Sequence, residues 1–176
     1  MFRCLVVRHA EAESVSDSGL DVDRALTDRG SASMGDAAYG LAQIVRRPEL
    51  IATSPYERAQ ETGRIIADAF ANLPAVEVTE SLAAGSRPED IMAWLGTRQG
   101  RLVAMVGHEP DLGRFVSLAL AGVSRSFYPM CKGAVCLIEF PAVPRAGNAT
   151  LEWALEASHL ARLAGSDYAL RSSGPS

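Results

Sequence analysis

Two apolar runs constrain this chain more than any other feature. Phe2-Arg3-Cys4-Leu5-Val6-Val7 leads into Arg8-His9, and Leu102-Val103-Ala104-Met105-Val106-Gly107 leads into His108-Glu109-Pro110. Runs this short, apolar or β-branched and closed by breakers, read as buried strands. In open α/β sheets, ligands bind outside the carboxyl ends of the strands. Two of the three histidines therefore leave strands at the edge where chemistry is done, which suggests a catalytic pair.

Strand and helix patterns alternate along the rest of the chain. After the first strand, residues 11–23 form a polar, acid-rich stretch that reads as an exposed loop. Thr27 is placed to cap a helix reaching about Arg46, weakened by Gly30, Gly35 and Gly40. Leu50-Ile51-Ala52-Thr53 reads as a second strand. Ser54-Pro55-Tyr56-Glu57 follows with capping-box spacing and a proline at the first helical position, opening a helix that carries Arg58. Val76-Glu77-Val78 is a third strand, Pro88 opens a helix through Leu95, and Pro110 opens another after the fourth strand. Ala134 to Phe140 and Thr150 to Leu155 read as two further strands around a Pro/Gly loop, with an antiparallel pairing in view. The expectation is a three-layer α/β/α sandwich with a mostly parallel central sheet. It occupies a single domain over residues 1–164, with a loosely ordered tail over 165–176.

Composition narrows the function classes. A chain of 176 residues, 48% hydrophobic and 22% charged, is that of an ordinary soluble domain with one sizeable core. A net charge of −4 argues against non-specific nucleic-acid binding. Cys4, Cys131 and Cys136 are odd in number and lack C-x-x-C spacing, so they indicate neither a disulfide frame nor a zinc site. No signal peptide is visible, and no run approaches the ~20 apolar residues of a membrane span. The expected setting is cytoplasmic, with no membrane partner. The histidines lack close metal-ligand spacing, so no metal or other cofactor is expected. His159 has no supporting motif and reads as an ordinary residue.

Arg8, His9, Arg58 and His108 share one design: a strand ends, a polar residue follows, and Arg58 and His108 lie by the starts of helices. Helix amino termini present unpaired N–H groups and partial positive charge, which suit an anion. A phosphoryl group needs such a pocket, because its transition state spreads negative charge over the equatorial oxygens.

Four blocks carry a resemblance. Leu5-Val6-Val7-Arg8-His9-Ala10, Arg24-Ala25-Leu26-Thr27-Asp28-Arg29-Gly30, Ser54-Pro55-Tyr56-Glu57-Arg58-Ala59-Gln60-Glu61-Thr62 and Val106-Gly107-His108-Glu109-Pro110 stand in order. Together they resemble the histidine phosphatase superfamily, whose fold is phosphoglycerate mutase-like. Gly107-His108-Glu109-Pro110 and Lys132-Gly133-Ala134-Val135 make the chain similar to its small SixA-type phosphohistidine phosphatases. The resemblance implies that His9 is the nucleophile that takes the phosphoryl group. It also implies that Arg8, Arg58 and His108 bind the phosphoryl oxygens, with Arg24 supporting the pocket from the loop. The implied partner is a phosphohistidine-containing protein, such as a histidine phosphotransfer domain or a phosphotransferase-system component.

The chain departs from the superfamily pattern twice. The usual Arg-His-Gly is Arg8-His9-Ala10, so this position has φ below zero or tolerates alanine. Where mutase-like and broad-phosphatase members carry a proton-donating glutamate two residues after a leucine, Leu82 is followed by Ala83-Ala84-Gly85. Glu80 precedes that leucine and reads as a surface residue. An alkoxide leaving group needs a general acid, whereas an imidazole with a pKa near ~6.5 leaves a P–N bond without one. The expected activity is therefore phosphohistidine hydrolysis through a phosphohistidine enzyme intermediate. The alternatives are a general small-molecule phosphomonoesterase and a phosphoprotein-binding module without turnover.

Overall fold

The protein is described here by a computed structural model covering residues 1–72 and 74–165. In chain order the elements are β1 (Phe2–Arg8), α1 (Asp28–Ile44), β2 (Leu50–Thr53), α2 (Glu57–Asp68), β3 (Ala75–Val78) and α3 (Pro88–Gly96). They continue with β4 (Leu102–Gly107), α4 (Asp111–Ala121), β5 (Val135–Phe140), β6 (Thr150–Leu155) and α5 (Ala157–Leu163). Short 3-10 turns at Asp21–Asp23 and Glu80–Leu82 interrupt the loops after β1 and β3. Residues 166–176, where nearly all of the tail expected from Gly165 falls, lie outside the described residues.

The strands form a six-stranded sheet in the order β3-β2-β4-β1-β5-β6. β3, β2, β4 and β1 run parallel, whereas β5 pairs antiparallel with both β1 and β6. The sheet is thus mixed, with four parallel strands and a two-stranded hairpin. Alternate residues of β1 serve two cores. Cys4 and Val6 pack with Ile91, Leu95 and Phe115 of α3 and α4, while Leu5 and Val7 pack with Met34, Leu41 and Ile66 of α1 and α2. Burial on both faces explains why β1 reads as a continuous apolar run and not as an alternation. Each fully buried large side chain contributes ~1.5–3 kcal/mol.

Register places the site. Arg8 lies opposite Gly107 and Thr53 opposite Val106, so β1, β4 and β2 end level with one another. The amides of His9 and Ser54 extend this ladder to the carbonyls of Gly107 and Val106, at 3.1 and 3.0 Å.

Thr27 caps α1 by accepting from the Gly30 amide at 2.9 Å. Two of the glycines that weaken this helix as a sequence serve as close contacts. A Cβ on Gly30 would stand 2.1 Å from the Glu11 carbonyl oxygen, and one on Gly40 would stand 1.8 Å from that of Leu160. Leu160 belongs to α5, an element that sequence periodicity does not announce: it has seven residues, with Leu160 buried. Its stability comes from docking on α1 and from a capping box between Glu156 and His159, which gives His159 a structural task. Among the described residues, no helix is long and apolar enough to cross a membrane.

Candidate active site

The four sequence-predicted residues converge at the carboxyl edge of β1, β2 and β4. The rings of His9 and His108 lie 5.1 Å apart between centroids. Tyr56 packs its ring edge-on to His108 at 4.8 Å, and the Arg58 guanidinium stacks on the Tyr56 ring at 4.7 Å. His9, Arg58 and His108 are all buried, at 7%, 6% and 4% exposure. Groups that usually seek water are therefore packed together out of it.

Each is held by a named contact. The Nδ1–H of His9 donates to its neighbour's carbonyl, Ala10 O, at 2.7 Å. A carbonyl only accepts, so this bond fixes the tautomer and leaves the Nε2 lone pair of the neutral ring free. The Ala10 amide donates to Thr62 Oγ1 at 3.1 Å, and that hydroxyl donates to the Arg58 carbonyl at 2.7 Å. Thr62 thus ties the His9 turn to α2. Arg8 donates through Nη1 to the Met130 carbonyl at 2.7 Å, while its buried Nε has no partner. The Met130 amide in turn donates to Glu109 at 3.2 Å.

His108 is held differently. Its Nε2 shares a 2.7 Å hydrogen bond with Ser54 Oγ, and its buried Nδ1 has no partner. This corrects the expected role of Ser54. The helix α2 begins at Glu57 with Tyr56 at its N-cap and no side-chain cap, and Pro55 precedes it. The Ser54 hydroxyl accepts from the Tyr56 amide at 3.3 Å and is otherwise engaged by His108. Glu57 pairs outward with Arg64 at 3.1 Å, so the capping box is not made. A histidine from a distant strand competes with the helix for this hydroxyl and takes it.

The acidic loop also departs from a purely solvated reading. Ala12 bridges Leu26 at its base, and Asp21 reaches Arg58. The Arg58 Nη1 donates to the Asp21 carbonyl at 2.7 Å and Nη2 to its carboxylate at 3.1 Å. Arg24 holds that carboxylate from the other side at 2.6 Å and donates through Nε to the Glu13 carbonyl.

Burial sets the charge states. It lowers His9 to about 4, with Arg58 and Arg8 adding to the fall against the Ala10 hydrogen bond. His108 falls to about 3, again chiefly by burial, then through His9 and Arg58. Both rings are neutral near pH 7. Asp21 is held below the usual carboxylate range by its hydrogen bond from Arg24, then by Arg58. Burial raises Glu109, but its carboxylate already accepts from the amides of Met130 and Gly113. Glu80 is exposed, at the start of its 3-10 turn. Among the described residues, no group of three His, Cys, Asp or Glu side chains is placed to hold a metal ion.

Tyr56, Ser54, Asp21 and the Met130 carbonyl complete the site and were not singled out by sequence. Tyr56 and Ser54 had a signal, since they lie in the same block as Arg58. A backbone carbonyl leaves none.

Known proteins resemble this chain in sequence and in fold. The model of the histidine phosphatase superfamily (branch 1) matches residues 4–84. An uncharacterised protein of Picosynechococcus sp. is 34% identical over 119 residues, 65% of this chain and 71% of that protein. The protein histidine phosphatase SixA, solved with tungstate, is similar in structure at a TM-score of 0.76 and 25% identity, covering 90% of this chain and 99% of that one. A mycobacterial glucosyl-3-phosphoglycerate phosphatase solved with inorganic phosphate shares the fold at a TM-score of 0.67 and 18% identity, over 89% and 99% of the two chains. The chain belongs to the histidine phosphatase superfamily, on its SixA-type side. That membership supports phosphatase chemistry.

Proposed function

We propose that this protein hydrolyses phosphohistidine in a protein substrate through a covalent phospho-His9 intermediate. The observation that carries the reading is the state of His9: a neutral ring with its Nδ1–H tied to Ala10 O, beside a second neutral histidine and two arginines. A neutral imidazole with a free Nε2 lone pair is a competent nucleophile toward phosphorus.

In the first step the Nε2 lone pair of His9 forms a bond to phosphorus, and the P–N bond of the substrate breaks. The electron pair of that bond stays on the departing imidazole, which carries its proton on the other ring nitrogen and leaves neutral. In the second step water attacks phosphorus, the P–Nε2 bond breaks, and the water's proton passes to solvent or product. His9 returns to its starting tautomer. Arg8, Arg58 and His108 take the equatorial oxygens, whose charge grows in the transition state. The Nδ1 of His108 and the Nε of Arg8 are buried without a protein partner. SixA bound tungstate in its structure, and an oxyanion of that kind is what such a pocket would accept.

The carboxylates support the choice of substrate. A general acid is typically worth ~10²–10⁴ in rate and must hold a proton to give. Asp21 is kept ionised by two arginines, Glu109 is occupied by backbone amides, and Glu80 is exposed. A leaving group that needs no proton fits this pocket better than an alkoxide.

The test is a comparison of turnover on a phosphohistidine-bearing protein, an aryl phosphate and an alkyl phosphate. The expected order is fast, measurable and barely detectable. Brisk alkyl-phosphate hydrolysis that disappears in Glu80→Gln would instead establish a general phosphomonoesterase. Binding of the phosphoprotein without labelling of His9 or release of phosphate would establish a binding module.

A further inference from the structure

The loop between β1 and α1 touches the pocket at one notable point, where Asp21 grips Arg58 through both its carbonyl and its carboxylate. A guanidinium has five N–H donors in a fixed plane. Two of Arg58's are spent on Asp21, and Tyr56 covers one face of the plane. The remaining donors are thereby fixed in direction. The grip has its own support: Arg24 holds the carboxylate at 2.6 Å and is anchored on the Glu13 carbonyl. The base of the loop is closed by the Ala12–Leu26 bridge and by the Leu26 amide, which donates to Glu61 of α2 at 2.6 Å.

We propose that Asp21 is a positioning residue of the phosphate pocket, which acts by holding the Arg58 guanidinium in its anion-binding pose, with Arg24 behind it. The inference rests on the phosphoryl-binding role given to Arg58 above. An exposed ion pair contributes little to stability. The Asp21 side chain is 55% exposed and that of Arg58 only 7%, so a carboxylate at the surface sets the direction of a buried guanidinium. An unclamped arginine must give up rotamer freedom each time an anion binds, and one already held has given it up.

The experiment measures tungstate inhibition and aryl-phosphate kinetics in Asp21→Ala, Asp21→Asn, Arg24→Ala, Arg58→Ala and the double variant Asp21→Ala/Arg58→Ala. In Asp21→Ala, kcat and tungstate affinity are expected to fall on the order of tenfold, short of the ~10²-fold that a 1 Å misplacement can cost. Asparagine keeps an acceptor for Nη2 and should recover part of the loss. Arg24→Ala, which leaves both Arg58 and the anion untouched, should show a smaller loss of the same sign. In the Arg58→Ala background the Asp21→Ala change should add nothing, because the residue it acts through is gone. Full activity and tungstate affinity in Asp21→Ala, or a loss that persists undiminished in the double variant, would overturn the proposal. Tighter tungstate binding in Asp21→Ala would overturn it too, by making Asp21 a competing anion. Unchanged tungstate affinity in Arg58→Ala itself would instead refute the phosphoryl-binding role, a distinct outcome.

Discussion

The carboxyl ends of β1 and β4 lie side by side and deliver a histidine each, yet they hold those rings by opposite nitrogens. At β1 the Nδ1 of His9 is bound to a backbone carbonyl, which settles its tautomer and frees Nε2. At β4 the Nε2 of His108 is bound to a serine hydroxyl, which can donate or accept, and Nδ1 is left buried without a partner. Like residues on neighbouring strands are thus held in unlike ways. A fixed lone pair suits attack, while a ring on a reversible donor suits an oxygen whose charge changes during the reaction.

Replacing each histidine is the most direct way to break this comparison. His9→Ala should abolish both turnover and phosphoenzyme labelling with an intact fold, read by acid-quench trapping and circular dichroism. His108→Ala should retain labelling but lose about 2.7–4 kcal/mol of transition-state stabilisation, the size of a lost oxyanion donor. Equal residual activity in the two variants would erase the distinction.

Ser54→Ala sharpens it. The substitution leaves His108 in place and frees its Nε2, so kcat should fall while phosphoenzyme still forms. Unfolding by urea should show a loss of about 1–3 kcal/mol, the usual effect of orphaning a buried polar group.

Acid provides a third, graded test. His9 titrates at about 4 in the folded chain and near 6.5 when unfolded. Between those values the unfolded state binds the proton and the folded state does not, so stability rises with pH across the window and is lost as pH falls through it. The effect from His9 is on the order of 3 kcal/mol, and His9→Ala should reduce the slope of stability between pH 6.5 and 4, the remainder belonging to His108, which falls to about 3. On the activity side, kcat/KM should keep the neutral nucleophile well below pH 6 and fail near the lowered value. An acid limb centred near 6.5 would mean that burial does not control His9. The smallest effect belongs to Glu80→Gln, which should leave phosphohistidine and aryl-phosphate rates within twofold, about ±0.5 kcal/mol, as for other surface changes.

Much of this was legible in the chain. The strands announced themselves because β1, β2 and β4 are buried on both faces, and the Thr27 cap because its hydroxyl serves a helix three residues away. The convergence of Arg8, His9, Arg58 and His108 followed from strand ends and motif order. What escaped depends on distant partners. Ser54 has the spacing of a cap, but its partner His108 lies 54 residues away in sequence. Asp21 resembles its solvated neighbours until a 3-10 turn carries it to Arg58, 37 positions on. α5 has too few residues for periodicity and depends on a bare glycine in α1.

The contacts that aim the pocket's side chains also say something about inheritance. His9, Arg8 and Arg58 are oriented by the carbonyl oxygens of Ala10, Met130 and Asp21. A carbonyl belongs to every amino acid, so codon changes at positions 10 and 130 leave the acceptor standing as long as the backbone keeps its path. Alanine can therefore replace the glycine usual after Arg-His: residue 10 has no positive φ to accommodate, and its oxygen is what the His9 Nδ1–H donates to. The pocket can drift in its lining while its aim is transmitted unchanged, and selection on these positions should act on chain geometry more than on residue identity.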